Sequence, residues 1–375
     1  MEFGIFHSGH ILTQENDEAQ AKLEHTRLMD EVEIGVTGDK VGFKYSWFTE
    51  HHFLEEYSHV SASEVILSYL AGRTERIHLG SGIWNLTPPV NPPARTAERV
   101  AMLDHVSEGR FEWGVGRGSS STEYQGFGIP DSDTTKAMAD EVLPQVLEMM
   151  KPGRYSYDGE CFSMPERMVL PKPYTLPHPP IWMACGSPAT FEKAGKMGVG
   201  ALCFAMGSPS KLRPLIETYK EAVADCDNPI GGYVNNNVAA VSRLFCFEDG
   251  DRAREVAANA GSGYYQSLVF KWLDSVVKPE GVPTWPEILP EPTPDEIRKA
   301  VELGVLVAGT PDECAVGVQQ YVDAGADQII FGLLNNNVPL EIVQESAETF
   351  GAHVIPNFDK NPVHSTTLQR EEQLG

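Results

Sequence analysis

Eight short apolar segments of strand character recur along this chain, most of them followed by a stretch with helical spacing. They are Glu2–Phe6, the run from Tyr45 to Thr49, His78–Ile83, Phe111–Val115, Ile181–Ala184, Ala201–Phe204, Val238–Phe247 and residues 326–334 (ADQIIFGLL). Between them lies a helical stretch from about Asp17, with Leu23, Leu28 and Val32 roughly one turn apart and Gly42 where a C′ glycine belongs. Pro92-Pro93 introduces a helix whose Ala94, Ala97, Val100, Ala101 and Leu103 keep one face apolar, and further helices are read over 65–72, 133–150, from Pro188, and over 341–350. Strand alternating with helix means an α/β parallel sheet, and eight repeats are what closes a (β/α)8 TIM barrel. A doubly wound open sheet is the other arrangement this alternation permits. A barrel needs roughly 250 residues, so 375 residues leave room for insertions. The expectation is one barrel domain over 1–358, with insertions near 152–180 and 262–300 and a frayed tail over 359–375. The first insertion contains a small hairpin around Asp158-Gly159, and the proline-rich 275–300 reads as a long loop.

The stretch YSWFTEHHF, 45–53, ends a strand abruptly on Glu50, His51 and His52. Parallel α/β proteins keep their chemistry at the C-terminal ends of strands. Strand side chains alternate faces, so His51 and His52 should diverge unless the strand has already ended. A surface turn without function is the competing reading of these three residues.

A second informative stretch is FEWGVGRGSSSTEY, 111–124, where a strand runs into Gly114, Gly116 and Gly118 and then Ser119 to Thr122. Glycines let backbone N–H groups approach an anion, hydroxyls donate to it, and Arg117 can fork two phosphate oxygens. The spacing is neither a dinucleotide fingerprint nor a P-loop, since residue 119 is serine and no lysine follows the glycines. MACGSPAT, 183–190, repeats the theme: a strand runs into Gly186-Ser187 and a helix opens at Pro188, with Ser187 and Thr190 offering hydroxyls. Two such cradles on neighbouring strands can converge on one phosphate. The bland alternative is a pair of tight strand-to-loop turns.

Charge narrows the partners. Lys and Arg number 29 against 53 Asp and Glu, a net charge of −24, which argues against nucleic acid and anionic membrane surfaces. Any phosphorylated ligand is held by local groups against that field. The six cysteines are scattered, without CxxC spacing, and read as reduced thiols. With no signal-peptide pattern at MEFGIFHSGH and no run near the ~18 apolar residues of a membrane span, a cytoplasmic protein is expected. His7, His10, His51 and His52 could serve a metal-dependent barrel hydrolase. However, His7 and His10 are three apart and share no strand face, so no metal site is expected.

The order FGIF, WFTEHHF, HLGSGI and PARTAERVAMLDHVSEGRFEWGVGRG, with ADQIIFGLLNNN near the C-terminus, resembles the bacterial luciferase-like, flavin-dependent monooxygenases. The resemblance covers about 1–350 and is most specific from Arg95 to Gly118. It implies a (β/α)8 barrel with FMN, in its reduced form, at the C-terminal mouth. O₂ is then the co-substrate, reacting through a flavin C4a-peroxide to oxygenate a small organic substrate. It also implies a separate NAD(P)H:flavin reductase as the source of FMNH₂, and a homodimer or related oligomer. By the same resemblance His51 is the catalytic histidine and Glu50 an acid near the flavin. Ser81 and Gly82 then lie under the isoalloxazine ring, at a strand end where several members carry a non-proline cis peptide. Arg117 holds the phosphate with Ser119, and Gly186, Ser187 and Thr190 form the second phosphate turn. Gly116 and Cys185 stand where the light-emitting α subunit has a cysteine and an acid, and both departures count against light emission. Phe6, Trp47, Trp84 and Phe204 are candidates for an apolar mouth, with Trp47 and Phe204 read preferentially as core. A deazaflavin (F420)-dependent oxidoreductase and a non-catalytic flavin-binding subunit are the remaining readings.

Overall fold

The structure is a computed structural model that describes residues 1–204, 207–333 and 337–375. Eight parallel strands form the barrel: β1 Glu2–His7, β2 Tyr45–Phe48, β3 His78–Ser81, β4 Phe111–Gly116, β5 Ile181–Ala184, β6 Gly200–Phe204, β7 Val238–Cys246 and β8 Gln328–Gly332. Each pairs with the next, and β8 returns to β1 with Glu2 opposite Gln328, so the ring is closed. Closure excludes the open doubly wound sheet. The expected eighth strand is two residues shorter at its start. Leu334, which ends it, and Asn335 and Asn336, which carry part of the C-terminal resemblance, lie outside the described residues.

Alternation along the strands separates two apolar layers. Phe3, Ile5, Phe48, Leu79, Phe111 and Trp113 join the large cluster between barrel and helices. Tyr45, Trp47, Trp182, Leu202, Ala239 and Ile330 fill the barrel itself, with Trp47 edge-on to Trp182 at 5.3 Å. Gly80 makes room for this filling, because a Cβ there would lie 2.1 Å from the Trp47 ring. Helix Asp17–Val41 starts on an Asn16 cap and stops at Gly42, whose φ of 101° is the left-handed geometry expected of that glycine.

The insertions are more ordered than the sequence suggests. Residues 155–158 and 163–167 form the expected hairpin. The proline-rich 275–300, expected as a long loop, runs into helix Pro294–Glu302, which opens on a Thr293–Glu296 capping box, and helix Ser262–Trp272 precedes it within the insertion. Helix Ser262–Trp272 buries Leu268 and Val269, with Leu273 after it, against Leu54 and Tyr57 just beyond β2. The last residues are not frayed. Ser365–Leu374 is a helix whose start closes the N-terminal end of the barrel. Ser365 donates to Glu2, Thr366 to Glu112, and the His364 ring stacks on His78 at 3.5 Å between centroids. These contacts span more than 250 residues of sequence, which no local pattern reveals. No helix among the described residues is long and apolar enough to cross a membrane.

Candidate functional site

Strand β2 ends at Phe48, so Glu50, His51 and His52 sit in the turn beyond it, which tightens through positive φ at Phe53 and Glu55. The three side chains part. His51 is anchored by its N–H on the Val60 carbonyl at 2.9 Å, and its ring meets Tyr57 edge-on at 5.2 Å. Its Nδ1 lies 3.1 Å from Oε1 of Glu123, and the same oxygen accepts the His52 N–H at 3.0 Å. Glu123 belongs to the short helix Ser121–Gly126 just after β4 and is only 4% exposed. Sequence reasoning missed it. The available signal was the acid in SSSTEY, directly behind the Gly/Ser loop.

Glu50 faces away. Its carboxylate accepts from Arg99 at 2.8 Å, Asn91 at 3.1 Å and Ser63 at 3.3 Å, in the layer outside the barrel. Arg99 also stacks over Trp84 at 4.2 Å, so Trp84 is part of that layer rather than of the mouth. His52 lies with Nε2 4.0 Å from Glu50 and its ring edge-on to Phe127, and burial holds its pKa below the ordinary histidine value. Glu50, His52, Phe53, Asn91, Arg99 and Phe127 are among the lining of a cavity of about 640 Å³. None of Ser81, Arg117, Ser119, Gly186, Ser187 or Thr190 lines it, so this cavity and the strand-end residues are separate features.

Around the rim, Ser81 is buried, its hydroxyl donating to the Gly114 carbonyl and accepting the Gly114 N–H, which ties β3 to β4. The next peptide, Gly82–Ile83, is cis. Gly116 is confined, because a Cβ there would lie 2.6 Å from Ile83 Cδ1. Arg117 turns to the first turn of helix Ser132–Met150, where Nη1 donates to the Ser132 carbonyl and to the hydroxyls of Ser132 and Thr135. The Ser119 carbonyl accepts the Asp274 N–H, and Asp274 accepts the Ser121 N–H at 2.6 Å, so the insertion docks on this loop.

After β5, Thr190 Oγ1 accepts the N–H groups of Gly186 and Ser187 and donates to the Ser187 carbonyl. With Ser187 it forms the capping box of helix Pro188–Met197, so its hydroxyl is spent inside the turn rather than offered to a ligand. Gly186 has open space where a side chain would stand.

Because β2, β3, β4 and β5 are consecutive in the ring, their ends bring His51, Ser81–Gly82, Arg117–Ser119 and Gly186–Ser187 to one side of the mouth. The floor there is apolar: Phe6, Ile83 and Val241 cover the barrel filling. Phe204, expected in the core, is 45% exposed and edge-on to Phe6 at 5.5 Å. It ends β6 at the rim, which is why its apolar character misleads. Trp47 is core, as expected. His7 is enclosed between Glu31 and Ser46 and His10 bonds the Glu56 carbonyl, so the four histidines do not converge. Among the described residues no group of three His, Cys, Asp or Glu side chains could hold a metal ion.

A family model described as luciferase-like monooxygenase matches residues 1–328. The alkanal monooxygenase alpha chain of Photobacterium leiognathi is 27% identical over 351 residues, covering 90% of this chain and 95% of its own. Among solved structures, the oxygenating constituent of 3,6-diketocamphane monooxygenase from Pseudomonas putida, in complex with FMN, superposes with a TM-score of 0.75. It is 19% identical over 95% of this chain and 98% of that one. The coenzyme F420-dependent tetrahydromethanopterin reductase of Methanopyrus kandleri gives 0.65 at 20% identity, over 96% and 99%. At these identities the two structures speak for the barrel.

Proposed function

This chain belongs to the luciferase-like monooxygenase family, and from that membership we propose that it is a reduced-FMN-dependent monooxygenase. In this reading it uses O₂ to oxygenate a small organic substrate, with FMNH₂ delivered by a separate NAD(P)H:flavin reductase, and it works as a homodimer or related oligomer. The observation that carries the reading is a histidine held by a buried carboxylate at one strand end, next to three strand ends suited to a phosphorylated, planar ligand.

The residues present fit that ligand. Among the described residues Ser120 Oγ and Glu123 Oε2 are buried without a hydrogen-bond partner, and Gly186 leaves open space beside a helix start. Arg117 is tethered, among the described residues, by side-chain hydrogen bonds through Nη1 only, which leaves donors for a phosphate. Arg117 with the Gly186–Ser187 turn would hold the phosphate, and the Ser81–Gly82 strand end would support the ring. Reduced FMN supplies the electrons that activate O₂. Phe6, Ile83, Val241 and Phe204 give the reaction an apolar floor. His51 takes or returns a proton at Nε2, the ring nitrogen not occupied by Glu123.

The test is a substrate panel with FMN, NADH and a flavin reductase, reading oxygenated product against O₂ consumed. Binding of FMNH₂ followed by product with O₂ uptake is expected. Failure to bind FMNH₂, with O₂-independent hydride transfer using F420 instead, would overturn it in favour of the deazaflavin chemistry.

A further inference from the structure

We propose that Glu123 is the positioning residue for His51, setting which ring nitrogen carries the proton. The inference rests on the flavin reading for its consequence in turnover, but its geometry stands by itself. A carboxylate has no proton to give, so a contact of 3.1 Å between Glu123 Oε1 and His51 Nδ1 places the proton on Nδ1. Nε2 then carries the lone pair and is the nitrogen able to take a proton from a reacting group. The same oxygen accepts the His52 N–H at 3.0 Å, so one carboxylate fixes both the ring and the turn that bears it.

The alternatives in the neighbourhood are occupied. Glu50 is held by Arg99, Asn91 and Ser63, and Tyr57 presents its ring to His51 edge-on. Glu123 is buried, its second oxygen has no partner among the described residues, and it lies on the segment that begins at Arg117. The residues assigned to the anion and to the proton are therefore joined by one short stretch of chain. Asp274 clamps its middle by accepting the Ser121 N–H and donating its own N–H to Ser119. A flavin phosphate drawn to Arg117 thus bears on the element that aims His51.

The experiment uses flavin-free full-length protein labelled with ¹⁵N-histidine, whose imidazole nitrogen shifts report the tautomer. Wild type should show neutral His51 protonated on Nδ1. Glu123→Gln, oriented by the His52 N–H, keeps an oxygen at the place of Oε1 and should keep the tautomer, whereas Glu123→Ala should lose it. With FMNH₂, O₂ and substrate, Glu123→Gln should stay coupled and Glu123→Ala should not. In Glu123→Ala, product per O₂ should fall roughly tenfold or more, short of the 10²–10⁴-fold expected on removing the imidazole itself. Finding His51 protonated on Nε2 in wild type overturns the proposal whatever the variants do, as does an unchanged tautomer in Glu123→Ala. A wild type that binds no flavin would sink the functional reading while the tautomer still judges Glu123.

Discussion

Glu112 should make this protein less stable as the pH rises from neutrality, and Glu112→Gln should remove that dependence. The carboxyl is fully buried at the N-terminal end of the barrel, where Oε1 lies 2.7 Å from both His78 Nδ1 and the Thr366 hydroxyl, and Oε2 accepts from Trp182 at 2.7 Å. Burial pushes its pKa from 4.5 up to about 8; Thr366, Trp182 and Arg370 pull it down, and Glu2 pushes it up. Lys44 and Ser365 pair with Glu2, and Tyr45 donates to it, so the surrounding charges are themselves committed. Above pH 4.5 the unfolded chain has released this proton and the folded chain keeps it. Stability present below 4.5 is therefore lost as pH rises through about 8. At about 1.4 kcal/mol per pH unit the whole window is worth at most about 5 kcal/mol.

Two neighbours act in the opposite direction. Burial lowers His78 to about 3 and His364 to about 2, so below 6.5 the unfolded chain takes up protons the folded one refuses. Their contribution rises with pH and is complete by about 6.5. From 6.5 to 8 Glu112 is the member of this cluster left acting, and the expected fall is about 2 kcal/mol. Urea unfolding of the flavin-free protein, followed by tryptophan fluorescence at pH 6.5 and 8.5, measures it. Equal pH slopes for wild type and Glu112→Gln would refute the reasoning and show that Glu112 is ionised in the folded barrel.

Arg117→Ala should weaken FMNH₂ binding roughly ten- to a hundredfold in an anaerobic titration, the worth of a charge-assisted fork, and unchanged affinity would remove Arg117 from the phosphate site. His51→Ala should still bind flavin but lose roughly 10²–10⁴ in product formation, with H₂O₂ taking a larger share of the O₂ consumed. His52→Gln should cost stability more than coupling, because its ring lies beside Glu50 and Phe127 rather than on Glu123; the reverse pattern in product per O₂ would exchange the two roles. Gly80→Ala should destabilise the fold by about 1–3 kcal/mol in the same urea assay, since the new methyl meets the Trp47 ring and neither can move far inside the barrel.

What was legible in the sequence was the part written locally. Strand and helix periods announce the barrel, Gly42 marks a helix end, and the Gly/Ser runs after β4 and β5 mark loops on adjacent strand ends. Partnership between distant segments was not legible. Glu50 stands next to His51 in sequence and turns to Arg99; Glu123, seventy-two residues on, takes the ring instead. A strand that stops at Phe48 rather than Thr49 decides this, because beyond it the side chains no longer alternate between two faces. The C-terminal residues fail for the same reason. NPVHSTTLQREEQLG is polar and lacks an apolar face, yet its hydroxyls are the partners that Glu2 and Glu112 need to remain buried. A buried carboxylate at residue 112 requires donors from somewhere, and a sequence shows that requirement without showing which residues meet it. The charged groups left unexplained by local pattern are accordingly the places to look for long-range contacts, and in this chain both the closure of the barrel's base and the aim of His51 depend on such groups.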